Sequence, residues 1–517
     1  MRITNGMITA NTKSNINSNK IMVDKYNTQM TTQKKISKAS ENPVIAIRAL
    51  RLQTSLNHLN QYVDNNIPDA QSWLNTTETA LNNMKKIITD IRTQCVNGAT
   101  DTLTDEDRKT ILQQLSSLVD QIYSEGNADY AGRTVFTGYR TSSQLTFNED
   151  DPDTTYEIKE NFTFEDVKEK RYYFGTTTIP ATVNNTTADC PDNTTVDNLY
   201  RVRLAYEKVS SNNISISFDQ DIKIGGQTVP ANDAITAAST PALKVYASRA
   251  EWEASGNIQD NQEEIILIEE TGELIFSDEI SDQIMETKAG LNVSYEKTGF
   301  DKGEVRPEYY FDCTDLSECT VDATGAWDRT KAVTFTKEDQ VISYTIANVT
   351  ELPVNTQASD VFGPDIQRDV EDMIVAINAS VNAHDKIAKV KAMMKEAQYA
   401  GEEDQKKLQT YLDAAQKEAD YADDNLQKMY GAYISNFDGY LEKINIGITN
   451  VGSLTNRLQL TQNRVENQQT TIEELKSNNE DRDISDIIID YYASQNAYKG
   501  SLTAAAQVGR TSLLDYL

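Results

Sequence analysis

Two histidines and four cysteines are the only soft or readily titrated side chains in 517 residues: His58, His384, Cys95, Cys190, Cys313 and Cys319. Zinc binding or nucleophilic catalysis needs such groups at short, regular spacings, and none occurs here. GxSxG, HExxH and a phosphate-cradling glycine loop are also missing. His58 flanks the apolar positions Leu56 and Leu59, and His384 sits in a helical NAHDK, so both read as surface or flanking residues. Cys95 falls on an apolar helical stripe and reads as a small core residue, while a Cys313–Cys319 bridge stays open. A hard cation could use Glu149–Asp153 (EDDPD) or Glu263 and Glu264, but neither has the calcium-loop spacing, which favours solvated charge. The reading assigns no catalytic residue, no metal and no cofactor, and it does not point to an enzyme.

Charge narrows the partners. The net charge is −30, and it is unevenly placed. Residues 1–140 carry 16 Lys and Arg against 13 Asp and Glu, whereas 141–350 carry 17 against 39. An acidic middle repels phosphate backbones, and no basic stripe with interleaved aromatics appears, so no nucleic-acid partner is expected. MRITNGMITANTKSN has no apolar signal core, and no run approaches the roughly 20 residues of a spanning helix. That predicts a soluble chain with no membrane insertion, which stays in the cytosol or leaves without a cleaved signal.

The elements that must carry any interface are mostly helical. Residues 1–40 lack proline and place Ile16, Val23 and Met30 seven apart, which predicts a helix with a seam too polar to be stable alone. Asn42 and Pro43 are suited to the N-cap and first position of a second helix. Its apolar-leaning positions alternate three and four apart from Leu52 to Cys95, with one stutter at Val63–Ile67. Pro68 follows that stutter, and its clash with the Asp64 carbonyl should kink or split the rod. Asn97-Gly98 ends the run, Thr104 with Asp107 opens another helix, and Thr134–Phe136 suits a hairpin. From about Thr146 to Thr350, short runs such as ISISF, EEIILIEE, ELIF and VISYTIANV predict antiparallel strands.

Helices resume after Pro364, with Val370, Ile374, Ile377 and Val381 on one face, and Leu454–Leu475 alternates four and three. The final stretch sets Ile487, Tyr491, Tyr498 and Leu502 on one stripe and closes in TSLLDYL. Burying Leu513, Leu514 and Leu517 would contribute about 1.5–3 kcal/mol each before ordering entropy is subtracted. Neither end has enough apolar surface to form a core alone, so both are expected to become ordered on contact with neighbouring subunits. The fold class is therefore mainly α with a β-rich insert. Terminal helices occupy 1–40 and 484–517, a coiled-coil-like helical rod 41–145 and 365–483, and an outer antiparallel β domain 146–364.

MRITNGMI, NPVIAIRALRLQTSLNHLNQYVDN, NADYAGRTVFTG, NVGSLTNRLQLTQNRVENQQTTIEELKSNNEDRDISDII and the terminal TSLLDYL resemble the flagellin superfamily, most of all its hook-filament junction branch. The likeness covers about residues 1–140 and 445–517. It implies a structural subunit of the bacterial flagellum, secreted by type III export and joining the hook side to the filament. It also implies a ring of copies, hook-associated protein 1 and flagellin as partners, and an export chaperone on the C-terminal helix. The alternatives are a filament subunit, or a secreted adhesive module carried by the β insert.

Overall fold

A computed structural model describes residues 5–100, 103–183, 190, 195–239, 243–255, 264–321 and 327–508. It has the expected class: long helices toward both ends of the chain and a β-rich stretch between them. Two compact units form. Met1–Gln71, Ser343–Leu352 and Thr455–Leu517 make a terminal unit, and Ser72–Ile342 with Pro353–Leu454 make a central one.

The terminal unit contains helix α1 (Asn5–Thr32) and helix α2 (Pro43–Gln61). Asn42 Oδ1 accepts the Val44 and Ile45 N–H groups at 3.2 and 3.3 Å, and Pro43 takes the first helical position, where its missing N–H costs nothing. The helical run does not break at Pro68. Tyr62–Asn66 form a π-helical turn that leads directly into α3 (Ile67–Gly98), with the Ile67 N–H bonded to the Tyr62 carbonyl. The stutter in the sequence is one residue too many for the three-four alternation, and a π-turn holds one residue more than an α-turn. The wider turn also relieves the demand that an α-helix would make on the Asp64 carbonyl at Pro68. The expected split is therefore corrected to a bulge.

The reading of residues 1–40 as one helix is corrected too. α1 stops at Thr32, where Gln33 adopts a left-handed φ of 57°. Later in the chain, α6 (Glu402–Glu480) and α7 (Ile484–Val508) are separated at the expected SNNEDRD break. The end of α6 runs antiparallel to α2, joined by Gln469 Nε2 to Asn60 Oδ1 at 2.9 Å and Asn479 Nδ2 to the Ile45 carbonyl at 3.0 Å. A hairpin of Ser343–Ala347 and Thr350–Pro353 returns to this unit, with its Thr345 carbonyl accepting from Asn66 Nδ2 at 2.7 Å beside the π-turn.

In the central unit the α3 stripe is fully committed: Leu74, Thr77, Leu81, Met84, Ile88, Ile91 and Cys95 are all buried. Helix α4 (Asp105–Gly126) starts with the expected capping box between Thr104 and Asp107 and packs on α5 (Asp365–Lys395). The hairpin Asp129–Thr134 follows α4.

Ten strands build two five-stranded sheets: β1 (Asp151–Phe162), β2 (Lys168–Phe174), β3 (Thr195–Arg203), β4 (Ser210–Phe218), β5 (Leu243–Tyr246), β6 (Ile265–Ile268), β7 (Glu273–Phe276), β8 (Leu291–Phe300), β9 (Asp312–Asp315) and β10 (Val333–Phe335). One sheet has the order β2-β3-β7-β6-β5, and the other β10-β9-β1-β8-β4. All these pairings are antiparallel except β5 with β6. Every residue of β6 and β7 is buried, as expected for strands covered on both faces. In β4 the burial alternates, with Ile214, Ile216 and Phe218 inward.

Candidate assembly interface

Helices α1 and α7 pack together antiparallel, although some 450 residues separate them. Asn19 Nδ2 reaches the Ala497 carbonyl at 3.4 Å midway along the pair. At its base the backbones cross-link, with the Lys35 N–H donating to the Glu480 carbonyl at 2.7 Å and the Arg482 N–H to the Gln33 carbonyl at 2.9 Å. Lys34 Nζ lies 2.5 Å from Asp481 Oδ1, and the carboxylate bond, outweighing the opposing effect of burial, raises the ammonium pKa. Arg482 then locks the corner, donating to Gln29 Oε1 at 2.8 Å, pairing with Asp490 and placing its guanidinium 5.5 Å over the Tyr26 ring. These contacts explain why α1 ends early, since residues 33–35 are drawn into the bridge.

The apolar residues of this pair are only partly covered. Ile487 is buried; Ile16, Val23, Met30, Tyr491 and Tyr498 are half-buried; Leu502 is exposed. Leu513, Leu514 and Leu517 lie outside the described residues. Among the described residues of α1 and α7, Gln29 and Ile487 alone are buried. A second set of apolar side chains faces solvent: Met7, Ile8, Ile21 and Met22 on α1, and Ile484, Ile488, Ile489 and Tyr492 on α7. Ile21, Ile489 and Tyr492 are 59, 66 and 59% exposed, levels at which a large apolar side chain gains little from its own fold. The seven-residue seam pointed to the intrachain side, and the sequence reading missed the second face because its residues follow no single stripe.

The chemistry-bearing residues have structural partners. His58 is exposed on α2, in an open groove of about 500 Å³ shared with Leu59, Tyr62 and Ile472. His384 is more embedded than expected for a surface residue: its Nε2 is 3.3 Å from Asp423 Oδ2, and its Nδ1 is 3.5 Å from Arg108 Nη1. Ser380 is one turn away, so the trio has the composition of a hydrolytic triad, yet its geometry is different. The buried Ser380 hydroxyl donates to Asp423 Oδ1 at 2.6 Å, an oxygen that also accepts from Arg108 Nη1 at 2.7 Å. A triad needs that proton on the histidine side; here the cluster ties α4 to α5 and α6.

Cys313 and Cys319 are not joined by a disulfide. In EDDPD, Asp151 closes its own turn through Thr154, and Asp150 accepts the Lys302 N–H at 2.9 Å. Glu264 pairs with Lys244, and Glu263 lies outside the described residues. Among the described residues no three His, Cys, Asp or Glu side chains gather as a metal site would require, and no helix is long and apolar enough to cross a membrane.

One cluster was not foreseen. Lys170 on β2 and Arg201 and Arg203 on β3 meet Glu273 on β7 and Asp369 and Asp372 on α5, with Tyr433, Asn436 and Tyr440 of α6 completing the carboxylates' hydrogen bonds. Three cations meet three anions with little access to water, an arrangement that fixes geometry more than it adds stability. In sequence these residues are ordinary alternating charges, and only the packing of sheet on helix reveals them as a set.

Residues 3–141 match the family described as the bacterial flagellin N-terminal helical region. This part of the chain is therefore similar to a flagellin N-terminal region. Flagellar hook-associated protein 3 of Salmonella typhimurium is 27% identical over 144 residues, which cover 28% of this flagellin-like chain and 45% of that protein. The Escherichia coli protein of the same name is 28% identical over 120 residues, 23% of this chain and 38% of its own. The match thus spans less than half the length of either relative. Among solved structures, flagellar hook associated protein-3 of Legionella pneumophila aligns over 82% of this chain and 97% of its own at 10% identity, with a TM-score of 0.28. Xanthomonas campestris FlgL aligns over 78 and 99% at 12% identity, with a TM-score of 0.21. TM-scores this low do not establish a shared arrangement.

Proposed function

We propose that this flagellin-like chain is a structural subunit of the bacterial flagellum that joins the hook side to the filament, with its terminal helices as the assembly element. The observation that carries the reading is the half-covered α1–α7 pair, which leaves Met7, Ile8, Ile21, Met22, Ile488, Ile489 and Tyr492 in water. Large apolar side chains left exposed in this number favour docking onto neighbours. The similarity of residues 3–141 to the flagellin N-terminal region and the two hook-associated relatives support the choice of organelle. In this reading copies form a ring between hook-associated protein 1 and flagellin, and an export chaperone shields the C-terminal helix before secretion. Leu513, Leu514 and Leu517 extend the docking surface.

Removing Leu502–Leu517 should leave a folded central unit that no longer supports filament growth. Normal filaments from that truncation would defeat the proposal. Copy number separates this role from that of a filament subunit, because abundant homopolymer in sheared filaments would favour flagellin.

A further inference from the structure

A cleft of about 510 Å³ opens in the central unit where the end of β1, the start of β2 and the end of β3 meet α5 and α6. Its size lies within the range of small-molecule sites, about 300–1,000 Å³. Charges of both signs line it, and they divide into two groups. Arg201 and Arg203 belong to the clamp described above, and Asp369 accepts from Arg203, from Asn436 Nδ2 at 2.9 Å and from the Tyr440 hydroxyl at 2.8 Å. Asp365, Lys168 and Lys443 are left over.

Among the described residues, none of these three side chains forms an ion pair or a hydrogen bond. Lys443 attracts the Asp365 carboxyl without touching it. That carboxyl is open to water on the cleft side yet surrounded by protein, and burial raises it against the pull of Arg203 and Lys443. An anion and a cation that face one cavity without contact are each incompletely compensated. A ligand carrying both charges would satisfy the two at once.

The rest of the wall supplies apolar surface and room. Phe162 is half-buried, and Ile446 is exposed. Gly439 lines the cleft from the interior of α6, and a Cβ built there meets no other part of the protein within 4 Å. Packing therefore does not require glycine, which weakens a helix interior relative to alanine. Its effect is to leave the cleft wider than alanine would.

We propose that this cleft binds a small zwitterion, an α-amino acid with an apolar side chain. Its ammonium lies at Asp365, its carboxylate at Lys443 and Lys168, and its side chain against Phe162 and Ile446.

Calorimetric titration of the full-length protein with L-phenylalanine tests this, using phenethylamine and 3-phenylpropionate as analogues that lack its carboxylate and its ammonium. L-Phenylalanine should bind at millimolar concentration, and each analogue about tenfold more weakly, since each forfeits one charge-assisted contact. Asp365→Asn should weaken L-phenylalanine and phenethylamine by a similar factor and spare 3-phenylpropionate. Lys443→Gln should weaken 3-phenylpropionate and spare phenethylamine. Gly439→Ala should lower the affinity while raising the melting temperature, which separates loss of binding from loss of fold. No heat from L-phenylalanine up to about 10 mM, equal binding of all three compounds, or unchanged affinity in Asp365→Asn would overturn the site. None of these outcomes bears on filament growth, so the assembly proposal is tested separately.

Discussion

Lys34 Nζ sits 3.2 Å from Glu480 Oε2, joining the foot of the first helix to the last residue of the longest one across most of the chain. The pair belongs to the corner where Arg482 gathers Gln29, Tyr26 and Asp490, at the end where α1 meets α7. The ends are thus registered on one another, while Ile21, Ile489 and Tyr492 stay more than half exposed.

Arg482→Ala removes the hydrogen bond to Gln29, the ring contact with Tyr26 and the pairing with Asp490. Local coupling should weaken by about 1–2 kcal/mol, since each contact is partly solvated. Limited proteolysis should then cut faster within residues 5–32, while thermal unfolding of the central unit stays unchanged. Equal protection of α1 in both proteins would show that the corner does not hold it.

The π-turn supports a two-step experiment. Deleting Asn65 makes the three-four alternation regular but restores an α-turn at Pro68, and should cost about 3 kcal/mol through the clash with the residue four back. Adding Pro68→Ala to that deletion should recover most of the loss, whereas Pro68→Ala alone should change little. Urea midpoints compare the three variants; a deletion that costs nothing contradicts the role assigned to the bulge.

Asp372 responds to acid. Burial alone would raise its carboxyl, but Arg201, Lys170 and Arg203 overcome that and hold it well below the usual carboxylate range. Its contribution is thus present above about pH 4 and is lost as the solution is acidified further. Asp372→Asn leaves buried cations uncompensated and should destabilise the central unit by about 3–5 kcal/mol at neutral pH. It should also flatten the stability profile below pH 4, followed by fluorescence of the buried Trp252. An unchanged acid limb would remove Asp372 from the clamp.

The Cys95 thiol is pushed up to about 12 by burial, with a further push from Asp369. It should resist disulfide-exchange reagents in the native protein, while the half-exposed Cys190 and Cys319 react. Counting fast and slow thiols before and after denaturation checks this, and rapid labelling of Cys95 in native protein would contradict its burial.

Gly272 has a φ of 60°, and a Cβ there would collide with the Tyr206 carbonyl oxygen. Gly272→Ala should therefore cost about 2 kcal/mol or more from strain and displacement of the Leu204–Tyr206 segment. Calorimetry would detect it, and a neutral result would mean that the turn can relax.

Local patterns were legible without tertiary information. The α3 stripe, the Asn42 and Thr104 caps and the β-prone runs of the insert could be read because a period of two or 3.6 is repeated within a few residues. The stutter at Val63–Ile67 announced an extra residue, although its resolution as a π-turn depended on Pro68 and on the packing around it.

Contacts across long separations had no such signature. The early stop of α1, the antiparallel α1–α7 pair, the parallel β5–β6 pairing, and the burial of Lys170, Arg201 and Arg203 against α5 were decided only when distant segments met. The sequence by itself determined which faces had to be covered, because apolar spacing is a local property. Tertiary structure decided which were covered from within and which charges were left in the dry, because pairing and desolvation depend on the neighbours that folding supplies.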